Sequence, residues 1–424
     1  AGAAAGLGLA LAYYGTLLWR YLRGNQANLQ ACLEAAFAAG ITHIETAKMY
    51  GTSEQQIGKA FSEIWARGQW KREDIILQTK VRPTPDKETL LRHVNESLQK
   101  LRVTRIDLLS IHGVNTAEES GWAIQNVEWL QPLVEAGTVG HIGFSTHAKT
   151  SVILDTIRSG KFAYVNLHKH YFGSYSALDN MPAVEEAERR DMGVFVISPS
   201  DKGGKLYAPP ARLADACRPL GPMLFHDLWL LTRVRGVHTL SLGAAQPSDF
   251  DAHLRALALL GTAETDKNLD KIDQRLTEMK TAALGEDYCA RWHEGLPDWD
   301  EAPGKINIKI ILWLRTLVYA YGMEGFARDR YLGLALEGAQ AAWYPGGRAG
   351  EARRLADQIR AACQGNPWAD QIPHHLEEMH ELLFPSAKEK NMSSKEQKKQ
   401  QRSKPAILPD GTNNEEAAAA AVSF

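Results

Sequence analysis

The feature that most constrains this chain is its alternation. From about residue 25 to 262, segments with helical periodicity take turns with short apolar, β-branched runs. The spacing predicts helices over Asn28–Ala39, Ser53–Trp65, Lys87–Leu101, Val127–Glu135, Thr150–Ser159, Pro182–Arg190, Pro222–Arg233 and Pro247–Leu260. Strands are predicted between them, over Ile41–Thr46, Ile75–Val81, Ile106–Ile111, Val139–Ser145, Tyr164–His168, Val194–Ser198 and Val237–Leu242. Strands that alternate with helices pair in parallel through right-handed crossovers. An eighth strand around Leu7–Tyr13 closes such a sheet into a (β/α)8 TIM barrel, an α/β fold. The competing architecture, an open doubly wound sheet, lacks support because no glycine-rich dinucleotide fingerprint follows an early strand.

Length extends this reading. A barrel of this kind takes about 250 residues, and the chain has 424. Residues 1–262 are therefore expected to form the barrel and 263–385 an α-helical C-terminal region. Helical patterns run over Lys267–Met279, Ile308–Tyr321, Leu334–Ala342, Gly350–Cys363 and Pro373–Leu383 with no strand pattern among them. Residues 386–424 open with a Lys/Gln/Ser run and close with alanines, a composition that cannot bury enough apolar surface to order itself. The formal net charge of −2 gives no pull toward nucleic acid. Four scattered cysteines make neither a disulfide framework nor a tight metal motif, and point to a reducing compartment, cytoplasm or organelle interior. Residues 1–19 carry no charge. Glycines interrupt them, so a buried first strand is expected there before a membrane-facing segment.

Catalytic residues of such barrels sit at the C-terminal ends of strands and in the loops that follow. At those places the chain has Glu45, then Tyr50 in the next loop, Lys80 and His112. An acid, a phenol, a lysine and a histidine thus point at one mouth. Reduction of a carbonyl needs a hydride and a proton. A phenol is a poor acid near neutrality, and an adjacent ammonium favours its phenolate. A carboxylate fixes the ammonium, and a neutral imidazole orients the carbonyl. Any one of these residues alone reads as packing or surface; their joint occurrence on successive strand ends carries the inference. His147, His168 and His170 lack an acid or cysteine at ligand spacing, so they are expected to line a pocket or pack, and no metal site is expected.

The segment from Gly40 through Glu45-Thr46-Ala47 to Tyr50-Gly51 and Ser53-Glu54 resembles the signature of the aldo-keto reductases, where Asp usually stands at the position of Glu45. The similarity continues in Gln78-Thr79-Lys80, Asp107–His112 and Ile142–Ser145, and covers roughly residues 5–262. The resemblance implies a catalytic tetrad of Tyr50 as general acid, Lys80 tuning it, Glu45 holding Lys80, and His112 placing the carbonyl. It also implies an NADPH site, with NADH as the second choice. Ser145, Thr146 and Asn166 would hold the nicotinamide amide. Ser198, Lys202, Gly204 and Leu206 would lie in the loop over the pyrophosphate, and Gly243, Gln246, Ser248 and Asp249 would lie along the adenine end. Ala252 and His253 stand where the family carries a Glu-Asn pair.

The C-terminal region resembles a branch of the same family that carries a ferredoxin-like module with a four-iron cluster. Such clusters need cysteine thiolates, commonly at Cys-x2-Cys-x2-Cys spacing. Here Cys289 is followed at that spacing by Trp292 and Gly295, and only Cys363 remains elsewhere in the region. No iron–sulfur cluster is therefore expected, and Trp292, Trp299 and Trp368 are expected to fill a degenerate module. Two functions remain compatible with these residues. One is an NAD(P)H-dependent oxidoreductase acting on a small aldehyde or ketone. The other is a catalytically impaired barrel serving as scaffold or accessory subunit, with protein partners held through the apolar N-terminal segment and the C-terminal module, and membrane association through such a complex.

Overall fold

The computed structural model describes residues 26–173, 179–334 and 345–384, with the backbone of 421–423. The expected strand at Leu7–Tyr13, the uncharged N-terminal segment and most of the tail lie outside the described residues. Seven parallel strands form the sheet: β1 (His43–Glu45), β2 (Ile76–Val81), β3 (Ile106–His112), β4 (Val139–Ser145), β5 (Tyr164–Leu167), β6 (Gly193–Ile197) and β7 (Thr239–Gly243). They wind in sequence order. The gap between β7 and β1 is bridged by β8 (Ala421–Ser423), antiparallel to both, with Val422 opposite Ile44 and Leu242. An antiparallel closing segment drawn from the far end of the chain was not legible in a low-complexity alanine run.

The helices around this sheet are α1 (Gln26–Ala38), α2 (Ser53–Ala66), α3 (Lys87–Leu101), α4 (Ala117–Glu135), α5 (Thr150–Arg158), α6 (Met181–Arg189), α7 (Ala211–Ala216), α8 (Pro222–Arg233) and α9 (Asp251–Leu259). Outward-facing strand residues such as Leu109, Ile111, Phe144, Val165, Leu167, Val194 and Val196 are buried against them. The period of two along each strand then sends His43 and Glu45, Gln78 and Lys80, Ser110 and His112, and Tyr164 and Asn166 inward. The interior is polar, where barrels of this architecture are more often filled by branched apolar residues. Its N-terminal end is closed by rings. Tyr164 stacks on Phe195 at 4.9 Å, and His43 meets Phe195 edge-on. Gly143 makes the room, since a Cβ there would lie 2.5 Å from the Tyr164 ring.

Beyond residue 262 follow α10 (Ala263–Leu284), α11 (Glu286–Arg291), α12 (Ile308–Tyr321), α13 (Glu324–Gly333), α14 (Ala356–Ala362) and α15 (Ile372–Leu383). α12 is buried over most of its circumference, as its run of Ile, Leu and Trp demands. It forms a continuous apolar core with α10, α13 and α15, and with Phe172, Leu206, Phe225 and Leu228 of the barrel. Among the described residues, no helix is long and apolar enough to cross a membrane.

Candidate active site

Strand register assembles the site. β1 aligns Glu45 with Gln78, β3 aligns Ser110 with Lys80, and His112, Ser145 and Asn166 stand side by side on β3, β4 and β5. The Lys80 ammonium forms an ion pair with the Glu45 carboxylate, donates to the Thr46 carbonyl at 3.1 Å, and stands 3.5 Å from the Tyr50 hydroxyl. Both Lys80 and Glu45 are buried, at 1% and 2% exposure, so each is the other's answer to a low-dielectric setting. Burial pushes the Lys80 ammonium down, but the Glu45 charge and the Tyr50 oxygen outweigh it and raise Lys80 above the ordinary lysine range. Burial likewise pushes Glu45 up, and the Lys80 charge with bonds from Lys80 and Ser241 holds it below the ordinary carboxylate range. The pair is therefore fully ionised around neutrality.

Tyr50 hangs from a tight turn in which its own N–H donates to Ala47 and its carbonyl accepts from Ser53, with Gly51 at φ +54°. The rest of the signature anchors this turn. Thr46 and Ser53 share a hydroxyl hydrogen bond of 2.8 Å, and the buried Glu54 accepts from Thr79 on β2 at 2.8 Å. The His112 ring stands edge-on to Tyr50, centroids 5.6 Å apart. Burial, then the charges of Lys80, Arg82 and Lys202, drive His112 well below the ordinary histidine range, so it is neutral. Its buried Nδ1 has no hydrogen-bond partner among the described residues.

Glu45 is held by more than Lys80. Ser241 on β7 donates to it, and Asn166 Nδ2 donates to it at 3.3 Å. Asn166 in turn accepts from Gln78 at 2.8 Å and from Ser110 at 3.2 Å, and Gln78 bonds His43 at 2.9 Å. Ser241, Gln78, Ser110 and His43 were missed as site residues by sequence reasoning. The available signal was their inward phase, two residues from a tetrad member or, for Ser241, on the strand that meets β1 at the closure of the barrel. Asn166, expected at the nicotinamide amide, has most of its amide engaged in this network. Ser145 accepts from the Gly113 N–H at 3.1 Å and keeps its own proton to donate. Thr146 spends its hydroxyl on Val114 and Ala148, inside the turn.

The remaining expected residues fall on two loops. Ser198, Lys202, Gly204 and Leu206 lie together after β6, Leu206 buried and Lys202 placed so that its charge acts on His112 and His147. Gly243, Gln246 and Ser248 are exposed after β7, and Asp249 accepts from the N–H groups of Ala245 and Gln246. His253 faces inward and bonds Asp227 of α8, which ties α9 down. His147, His168 and His170 form a chain, 2.7 Å from His168 Nε2 to His147 Nδ1 and 3.1 Å from His168 Nδ1 to His170 Nε2. Burial first, and then neighbouring cations and imidazoles, push all three well below the ordinary histidine range.

Cys289 and Cys363 lie among closely packed chain segments. A Cβ on Gly295 would lie 2.4 Å from Gly365, and Asn366 donates to the carbonyls of Trp292 and Glu294. Trp368 meets Tyr288 edge-on, and burial pushes the Cys363 thiol up to about 11.

Residues 13–204 match the model of the Aldo/keto reductase family. Over that stretch the barrel is similar to that family. Aldo-keto reductase str7 of Strobilurus tenacellus is 35% identical over 118 residues, 27% of this chain and 33% of that protein. Aldose reductase B of Dictyostelium discoideum is 30% identical over 135 residues, 27% of this chain and 43% of its own. The chain spans between 30% and 61% of the length of the curated relatives it matches. Among solved structures, aldo-keto reductase AKR11C1 of Bacillus halodurans superposes with a TM-score of 0.47 at 20% identity, over 58% of this chain and 88% of that one. An aldo-keto reductase of Klebsiella pneumoniae in complex with NADPH gives 0.46 at 22%, over 59% and 86%.

Proposed function

We propose that this chain is a nicotinamide-dependent oxidoreductase that reduces an aldehyde or ketone, with Tyr50 as the proton donor. The observation that carries the reading is the convergence of an ionised Glu45–Lys80 pair, the Tyr50 hydroxyl and a neutral His112 at the barrel mouth. As charge develops on a carbonyl oxygen, the Tyr50 O–H passes its proton to that oxygen. Lys80, 3.5 Å away, stabilises the negative charge left on the phenol. His112, held neutral, can donate a hydrogen bond to the same oxygen without competing as an acid. Glu45 in place of Asp keeps the ion pair, since the longer side chain is received by Ser241 and Asn166. That reception removes one motive for reading the barrel as an inactive scaffold.

The donor set fits a dinucleotide. Ser145 retains a proton to donate beside His112, and Lys202 supplies a cation on the loop after β6, matched to a pyrophosphate. Gln246 and Ser248 are exposed for the adenine end, and Arg255, exposed on α9, is the nearest cation in sequence, which favours NADPH over NADH. A bound reduced nicotinamide supplies the hydride. The test is a fluorescence titration with NADPH and NADH, followed by turnover of simple aldehydes by wild type and Tyr50→Phe. Micromolar nucleotide binding by both proteins, with kcat lowered by about 10²–10⁴ in the variant, is expected. Unchanged turnover in Tyr50→Phe would remove the assigned role.

A further inference from the structure

The helices beyond residue 262 meet the barrel at its mouth. Lys149, just after β4, pairs with Asp298 at 2.8 Å and Asp300 at 3.0 Å. After β5, the Phe172 carbonyl accepts from Trp313 Nε1 of α12 at 2.6 Å. A further set of contacts is with the loop after β6, where Ser198, Lys202, Gly204 and Leu206 sit. Leu206 is buried in the same apolar cluster as Met323 and Phe326. A Cβ on Gly204 would lie 2.4 Å from the Met323 methyl. Lys205 pairs with Asp329, and Arg330 Nη2 reaches Asp201 Oδ2 at 3.1 Å.

Asp201 is the hub of that loop. Its carbonyl accepts from the N–H groups of Gly204 and Lys205, at 3.2 and 2.8 Å. Its other carboxylate oxygen accepts from the Tyr207 hydroxyl at 3.0 Å. The loop is conformationally demanding, with Ser198 at φ +50°, Gly204 at +136° and Lys205 at +51°. Such turns persist where their surroundings over-determine them. Arg330 is 2% exposed with its guanidinium over the Phe326 ring, so it is a fixed post and not a solvated arm. Its charge also answers that of Asp201. A carboxylate left bare beside Lys202 would repel a pyrophosphate and cancel the lysine's attraction.

We propose that Arg330 and Asp201, with Lys205–Asp329 as an outer latch, clamp the Ser198–Leu206 loop to the C-terminal helices, and that this clamp governs how long a dinucleotide stays bound. Arg330 is a positioning residue in this scheme; it acts on the nucleotide through the loop. The inference rests on the nicotinamide reading above. It assigns the C-terminal helices a part in the cofactor site.

The test compares the full chain with Asp201→Asn and Arg330→Lys. NADPH release is followed by stopped-flow fluorescence, and backbone amide exchange of residues 198–206 is measured without nucleotide. Asp201→Asn is expected to release NADPH about tenfold faster, since interface losses fall mainly on the dissociation rate. Exchange of the loop should rise while the thermal midpoint stays close to that of wild type. Arg330→Lys keeps the charge and should retain NADPH better than Asp201→Asn. An unchanged release rate in Asp201→Asn, with wild type binding NADPH, would overturn the clamp alone. A wild type that binds neither NADPH nor NADH would overturn the nicotinamide reading and the clamp with it.

Discussion

Glu45, Tyr50, Lys80 and His112 are separated by up to 67 positions in sequence, yet each could be named from its place at a strand end or in the loop that follows. What could not be named was the company they keep. Ser241 reaches Glu45 from β7, across the gap that β8 bridges, a contact set by register and closure. The same holds for the imidazole chain of His147, His168 and His170, which read as pocket lining or packing. Its members are kept neutral by burial, well below the ordinary range. An unfolded histidine titrates near pH 6.5. Below that pH the unfolded chain takes up protons that the folded chain refuses, so stability falls as pH drops. Each such histidine contributes at most about 1.4 kcal/mol per pH unit. Lys80 is raised, so its contribution disappears only in strong alkali; Glu45 is lowered, so its own disappears only in strong acid. The window between pH 7 and 5 therefore belongs to buried histidines. Urea midpoints should drop between pH 7.5 and 5.5, and His168→Asn should flatten the slope. Identical midpoints at the two pH values would refute this account.

At the scale of elements, sequence reading located the parallel strands because their outward-facing residues are apolar and they fall between helices with marked ends. It overran at the edges. β1 is only His43–Glu45, because Ile41 still donates to the Ala36 carbonyl and so belongs to the end of α1. Helix crossings were not legible, since they depend on which surface meets which. Gly58 marks one. A Cβ there would lie 2.2 Å from the Lys100 carbonyl, so α2 and α3 approach through a notch. Gly58→Ala should therefore cost about 1–3 kcal/mol, as overpacking does. Gly121, in α4, has open space around it. Gly121→Ala should instead stabilise by about 0.5–1 kcal/mol, the helix-propensity difference. Denaturation curves for the two variants give the comparison, and equal shifts of the same sign would contradict it.

Across the whole molecule, alternation and length announced a barrel and a helical appendage, but not that the two share a core. The apolar cluster joining Phe172, Leu206 and Phe225 to Ile311, Leu314 and Tyr331 has no seam between them. Residues 26–384 should consequently unfold as one unit. Urea transitions followed by tryptophan fluorescence and by far-ultraviolet circular dichroism should coincide; two resolved steps would mean separable bodies. A last consequence concerns traffic. The stacked Tyr164 and Phe195 rings, with His43 against them, stopper one end of the barrel. Among the described residues that end is shut, so whatever reaches Tyr50 is expected to share the other mouth with anything already inside, and the molecule that enters first to wait for the second to depart.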